Sequence, residues 1–295
     1  MPLKVLDRPL PIGHAFLHKT ARDPPPMPAF AREQRLAGAS VLVFPDASAA
    51  SRAAADRIAS VIREGVAARG KAVLGLATGS TPIAIYARLV SLHREGALSF
   101  AEVRSYNLDE YYPISPLDPN SYRAYMHKHL FEQVDISPNR AHVLDGTVPE
   151  TFVSAHTGAF DRWIAADGGL DLQLLGIGRN GHIGFNEPSD LSNEAALGLP
   201  TRLIHLHPVT TVDAARDFGT EAKVIPRALT MGIKPILAAR SILILALGAN
   251  KAEAVAEALN GPITARLPAS LLQTVPGKVT WMLDEAAAAR LKKNA

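Results

Sequence analysis

One histidine in this chain sits in a setting suited to proton transfer. His182 lies within Gly176 to Pro188, with the carboxamide of Asn180 two residues before it and the carboxylate of Glu187 five after it. Residues two apart in extended backbone share a side, and a turn beyond His182 can fold Glu187 back toward it. A histidine oriented by a carboxylate and a carboxamide is an acid–base unit. Gly176, Gly178, Gly181 and Gly184 let this stretch turn sharply and approach a ligand without Cβ clashes. A second candidate is Asn107-Leu108-Asp109-Glu110-Tyr111-Tyr112. Neighbours in a strand face opposite ways, so Asp109 and Glu110 are not a side-by-side pair. One should enter a cleft while the other braces the loop. Carboxylates beside aromatics at a strand end suit a base of raised pKa.

Two further stretches could hold an anion. Thr78-Gly79-Ser80-Thr81-Pro82 follows an apolar run and opens a helical pattern. Pro82 fits the first helical position and Thr81 the N-cap. Free backbone N–H groups, hydroxyls and a helix start together make a phosphate site, although the same residues would also serve as a plain capped helix start. The sequence is neither a Walker A loop nor a dinucleotide fingerprint. Lys251, after another apolar run, falls in a first helical turn, where a cation costs roughly 0.3–1 kcal/mol unless it meets an anion. The pairs His127/His129 and His205/His207 lack carboxylates at ligand spacing, so no metal site is expected.

The elements that must position these residues follow from periodicity. Apolar runs at Val41–Phe44, Val73–Ala77, Val103–Leu108, Ala141–Leu144, Leu170–Leu175, Leu203–Leu206, Ser241–Leu247 and Val279–Leu283 read as strands. Helical spacing covers Ala49–Arg69, Pro82–Arg94, Ser121–Phe131, Glu150–Ala166, Val212–Phe218, Asn250–Leu259 and Asp284–Lys292. This alternation predicts an α/β fold: one domain over residues 39–295 with a mainly parallel, doubly wound, Rossmann-like sheet flanked by helices. Such sheets bind ligands beyond the C-terminal ends of their strands, where all four motifs fall. Residues 1–38 carry seven prolines and read as an extended arm with a short helix near Ala29–Leu36. Its apolar Ile12, Phe16 and Leu17 could lie on the domain or on a second subunit, which leaves a homo-oligomer open.

Composition sets the outer bounds. With 295 residues, 47% hydrophobic and 20% charged, the chain can bury a large core. The formal charge of +3 comes without a Lys/Arg block, so a small anionic substrate is expected rather than nucleic acid. There is no cysteine, which excludes disulfides, thiolate metal sites and a cysteine nucleophile. No apolar stretch reaches membrane-span length, and the N-terminus lacks the apolar segment of a signal peptide. A soluble, cytoplasmic protein without a membrane partner is the expectation.

Taken together, the motifs resemble the glucosamine-6-phosphate deaminase family from about Val41 to Leu291. The residues that carry the likeness are Gly75–Pro82, Asn107–Tyr111, Asn120-Ser121-Tyr122, Gly178–Pro188 and Leu247–Ala252. The sister family of 6-phosphogluconolactonases has a related Gly-His loop, but Phe185-Asn186-Glu187-Pro188 is similar to the deaminase form. The resemblance implies that glucosamine 6-phosphate and water give fructose 6-phosphate and ammonia without a cofactor. His182 would assist ring opening, tuned by Asn180 and Glu187, and Asp109 would carry the C2 proton to C1. Thr78, Gly79, Ser80, Thr81, Lys251 and Arg216 match phosphate-binding positions. The chain departs from the family pattern in Asn180, where many members have Asp, and in the residues flanking Arg216. Ile204, near Arg202, stands where a basic residue of the family's allosteric site is expected, so that control is predicted absent. Other phosphosugar chemistry and a non-catalytic sugar-phosphate sensor are the alternatives, since a shared fold does not settle function.

Overall fold

The structure, a computed structural model, describes Phe30 and residues 32–292. Most of the expected N-terminal arm, with Ile12, Phe16 and Leu17, lies outside the described residues. Where the arm is described it is not helical. Arg32–Leu36 forms strand β1, paired antiparallel with β2 (Ala39–Phe44) through a tight turn at Ala37-Gly38. The boundary expected at residue 38 therefore runs through a hairpin. The alternating exposure of β1 is the period-two pattern of an edge strand, which five residues are too few to distinguish from a helical turn.

From β2 the chain alternates as its apolar runs require. Helix α1 (Ala47–Arg69) starts at Asp46, whose side chain accepts from the Ala49 N–H at 2.7 Å, and stops at Gly70 in the left-handed region. Then come β3 (Ala72–Leu76), α2 (Ile83–Arg94), β4 (Val103–Asn107), β5 (Asp109–Tyr111), α3 (Tyr122–His129), β6 (Ala141–His142) and α4 (Val153–Ala166). The second half holds β7 (Leu172–Leu175), α5 (Asn193–Leu197), β8 (Arg202–His205), α6 (Pro208–Phe218), β9 (Arg227–Thr230), α7 (Ile233–Ala238), β10 (Ser241–Ala246), α8 (Ala252–Asn260) and β11 (Val279–Asp284). The helix expected over Asp284–Lys292 is a series of turns. Asp284 organises them by accepting from the Ala287 N–H at 2.7 Å, and it also reaches the Gly248 N–H. No helix among the described residues is long and apolar enough to cross a membrane.

The main sheet has the order β1-β2-β11-β10-β7-β3-β4-β6 and is parallel except at the β1–β2 edge. The chain winds outward through β3, β4 and β6, then returns to β7 beside β3 and winds the other way. The order thus reverses between β3 and β7, and a crevice opens there beyond the strand ends. Both strands are buried along their whole length, which is why they read as apolar runs, with Gln173 the one polar residue of β7. At the opposite end of β7, Asp171 accepts from the Val73 N–H and pairs with Arg69 at 2.6 Å and Arg240 at 2.7 Å. Nearby Asp167 pairs with Arg104 and accepts from the Tyr106 hydroxyl at 2.6 Å.

A second, antiparallel sheet, β5-β9-β8, was not expected. Leu108 connects the two. Its N–H goes to Leu76 O of the main sheet, while its C=O accepts from Met231 N just after β9. The strand therefore changes sheets at one residue, and Asp109 pairs opposite Thr230. These strands have three or four residues each; of the three, only β8 was anticipated, as the run Leu203–Leu206. A small apolar cluster lies against them, built on Tyr111, Ile114, Phe185 and Ala228 and joined by Tyr122 and Phe218.

Candidate active site

The loops after β3 and β7 meet in the crevice with the start of β5, with α6, and with the turn before α8. They enclose a cavity of about 610 Å³, within the range of small-ligand pockets. Thr78, Gly79, Ser80, Thr81, Asp109, His182, Arg216 and Lys251 all line it.

The β3 loop is shaped by Gly79, at φ 100°, and is held from behind by Tyr125, whose hydroxyl donates to Gly79 O at 2.6 Å. The N–H groups of Gly79, Ser80 and Thr81 make no hydrogen bond among the described residues. The expected Thr81 cap is not made: α2 begins at Ile83, preceded by Pro82 in helical conformation with no side-chain cap. The helix starts one residue later than expected, and Thr81 stays in the loop that lines the cavity. Across the cavity, Lys251 closes a 3-10 turn, Ala249–Lys251, ahead of α8. Burial lowers its pKa, Asp213 counters this by favouring the charge, and Arg179 adds to the lowering. Arg216 reaches only the rim. Its side chain is 74% exposed, with its neighbour Asp217 3.6 Å away.

The two acidic neighbours of β5 divide as the strand geometry requires. Asp109 faces the cavity with 6% of its surface exposed. Burial, reinforced by the nearby Glu110 charge and opposed by the Thr78 hydroxyl, pushes its pKa up to about 8. Glu110 points the other way and braces the chain. It accepts from the N–H groups of Tyr111 (3.0 Å), Tyr122 (2.8 Å) and Arg123 (2.9 Å) and from the Ser121 hydroxyl (2.8 Å), binding β5 to the start of α3. Glu110→Ala leaves these donors buried, and a stability loss of roughly 3 kcal/mol is expected in urea unfolding. A loss under ~0.5 kcal/mol, the range of ordinary surface substitutions, would contradict this role.

The Gly-rich loop places its own acid–base unit. The imidazole Nδ1 of His182 lies 3.4 Å from Glu187 Oε2 and 3.2 Å from the Thr210 hydroxyl. Asn180 Nδ2 donates to the same Glu187 oxygen at 2.9 Å, and Asn180 Oδ1 accepts from the His182 N–H at 3.2 Å. Burial alone would raise the Glu187 pKa; the imidazole, Thr210 and Asn180 outweigh it and hold the carboxyl below its ordinary value. Gly178 lies directly against the ring, where an added Cβ would stand 2.3 Å from Nδ1 and Cε1. Gly184, at φ 55°, brings the loop beside Asp109, and Phe185 anchors it by stacking near Tyr122.

The four histidines of the two sequence pairs have other surroundings. His207 caps α6, its Nδ1 accepting from the Val209 N–H at 3.1 Å. His205 ends β8, His127 faces Glu132, and His129 packs on Tyr125. Arg202 donates to Asn186 Oδ1 at 2.8 Å, bracing the Gly-rich loop from outside.

Three residues of the site were not singled out from sequence. Thr210 was missed because the helix was placed from Val212, whereas α6 starts at Pro208, a residue suited to a first helical turn. Arg179 and Asp213 both line the cavity and pair across it. A guanidinium among the loop glycines was the available signal for the first of them.

A cavity at the reversal point of a doubly wound sheet defines a Rossmann-like α/β protein with its ligand site between two βα loops. Residues 45–281 match the family of glucosamine-6-phosphate isomerases/6-phosphogluconolactonases, and the chain belongs to that family. It is 44% identical over 253 residues to a glucosamine-6-phosphate deaminase of Rhodopirellula baltica, covering 86% of this chain and 96% of that protein. With the corresponding protein of Bacillus velezensis it shares 45% over 233 residues, covering 79% and 93%. The solved structure of a monomeric glucosamine-6-phosphate deaminase is 39% identical, with a TM-score of 0.78 over 84% of this chain and 98% of that one. A 6-phosphogluconolactonase from Trypanosoma brucei shares the fold, at TM-score 0.68 and 20% identity over 85% and 98% of the two chains.

Proposed function

We propose that this protein converts glucosamine 6-phosphate and water into fructose 6-phosphate and ammonia. The observation that carries the reading is that the cavity is lined by N–H groups without a hydrogen bond among the described residues and, facing them, by a lysine, while Asp109 and His182 reach the same cavity. The deaminase relatives, matched over nearly their whole length, support the same reaction.

The phosphate binds the N–H and hydroxyl groups of residues 78–81 and the Lys251 ammonium, with Arg216 closing from the rim. Anchoring one end of the substrate fixes the other against the acid–base groups. His182, with Nδ1 turned to Glu187 and Thr210, presents Nε2 to the sugar and moves the proton that opens the pyranose ring. Asp109 then takes the C2 proton and returns it to C1 through an enolamine. The resulting C2 iminium adds water and expels ammonia. Each step is a proton transfer or a proton-assisted addition or elimination, so these side chains supply the required chemistry.

Incubation of the purified protein with glucosamine 6-phosphate tests the reading. Equal amounts of ammonia and fructose 6-phosphate are expected, and their absence across pH 6–9, a range bracketing ordinary histidine and raised carboxyl pKa values, overturns it. Lys251→Met is expected to raise KM about tenfold or more, because a charge-assisted contact to the phosphate is lost. An unchanged KM would place the phosphate elsewhere.

A further inference from the structure

The anion-binding wall carries a carboxylate of its own. Asp213, on α6, takes Arg179 at two points: Nε donates to Oδ2 at 3.0 Å, and NH2 lies 2.6 Å from Oδ1. Both residues line the cavity, as do Lys251 and Arg216. Asp213 and Arg179 act with opposite sign on the Lys251 ammonium, which places all three charges within one electrostatic neighbourhood. Arg216 follows three residues later on α6, a spacing that puts it on the same helix face as Asp213.

We infer that Asp213 competes with the substrate's phosphate for Arg179, so that phosphate binding transfers the guanidinium from carboxylate to phosphate. This rests on the phosphate end of the function proposed above. A guanidinium fork fits either anion in the same two-point geometry, and a phosphate dianion offers it more charge and a third oxygen. The pair is 43% and 40% exposed, so it is held weakly and can exchange. Arg179 adjoins Asn180, and Asp213 lies three residues beyond Thr210. The exchange therefore acts on both segments that orient His182. An uncharged sugar brings nothing that can displace the carboxylate, so Asp213 biases the site toward phosphorylated ligands.

The test measures the Kd of inorganic phosphate by calorimetry at pH 7 for the full chain and for Asp213→Asn, Arg179→Gln and the double variant. Asp213→Asn is expected to tighten binding about two- to fivefold, the strength of an exposed ion pair, and Arg179→Gln to weaken it. In the Arg179→Gln background, Asp213→Asn should give no tightening, because no guanidinium remains to be released. Unchanged or weaker binding in Asp213→Asn overturns the inference. So does equal tightening with and without Arg179, which would mark a general effect of removing negative charge. Ammonia release by the unaltered protein is scored separately. Its absence sinks the proposed reaction but not the competition; its presence alongside an unaltered phosphate Kd in Asp213→Asn sinks the competition alone.

Discussion

Asp109→Asn is expected to lower the rate of ammonia release about 10³-fold, within the range contributed by a general base, while raising the stability of the protein. Both effects come from one cause. Asp109 is buried beside Glu110, and its pKa stands at about 8 against an ordinary 3.8. Between these values the folded state holds a proton that the unfolded state has released, so stability falls as pH rises through this window and the cost is fully developed above about 8. The asparagine variant carries no such cost. Its advantage should be absent at pH 4, grow toward pH 8 and reach on the order of a few kcal/mol. Thermal melts of both proteins across this range check the sign, and an advantage that shrinks with pH would refute it.

The same carboxyl is expected to set the acid limb of activity. In the free protein the active, ionised form accumulates as pH rises through about 8, so kcat/KM should climb through that region. In the proposed reaction the substrate's C2 ammonium would lie beside the base and favour the carboxylate. The acid limb of kcat is therefore expected at lower pH than that of kcat/KM. Coincident limbs would mean that the amine and Asp109 do not meet.

The second large effect should come from a residue with no functional group. Gly178→Ala places a methyl 2.3–2.6 Å from three atoms of the His182 ring. The ring must swing away, leaving Glu187 and Thr210. Displacement of a catalytic group by about 1 Å costs on the order of 10²-fold, and a drop of that size in kcat/KM is expected. Residues 78–81 and Lys251 lie on other segments, so the Kd of inorganic phosphate should change by no more than the few-fold share of the adjacent Arg179. Near-normal activity in this variant would show that the imidazole's place is not what the reaction depends on. A parallel loss of phosphate binding would show that the loop as a whole had moved.

Much of this site was legible because strand and loop chemistry are local. The runs Ala72–Leu76 and Leu172–Leu175 are buried on both faces, which their mostly apolar composition records even with Gln173 in the second. The opposed roles of Asp109 and Glu110 followed from strand alternation alone. What could not be read depends on partners distant in sequence. The pairing of Asp109 in β5 with Thr230 in β9 joins segments far apart in sequence, and these two strands of three and four residues are too short to stand out by alternation. The pairing of Arg179 with Asp213 spans 34 residues and is fixed by where α6 starts, which was placed too late. Thr81 satisfied every local rule for a cap, yet the loop's own path kept the helix from beginning there.

The reversal of strand order between β3 and β7 also separates two tasks in space. Every group assigned to chemistry projects from one rim of the sheet, whereas Asp167, Asp171 and their arginines clamp the other. A lineage of this chain could therefore retune its clamps for heat or salt without disturbing turnover, and could exchange one sugar for another without loosening its frame.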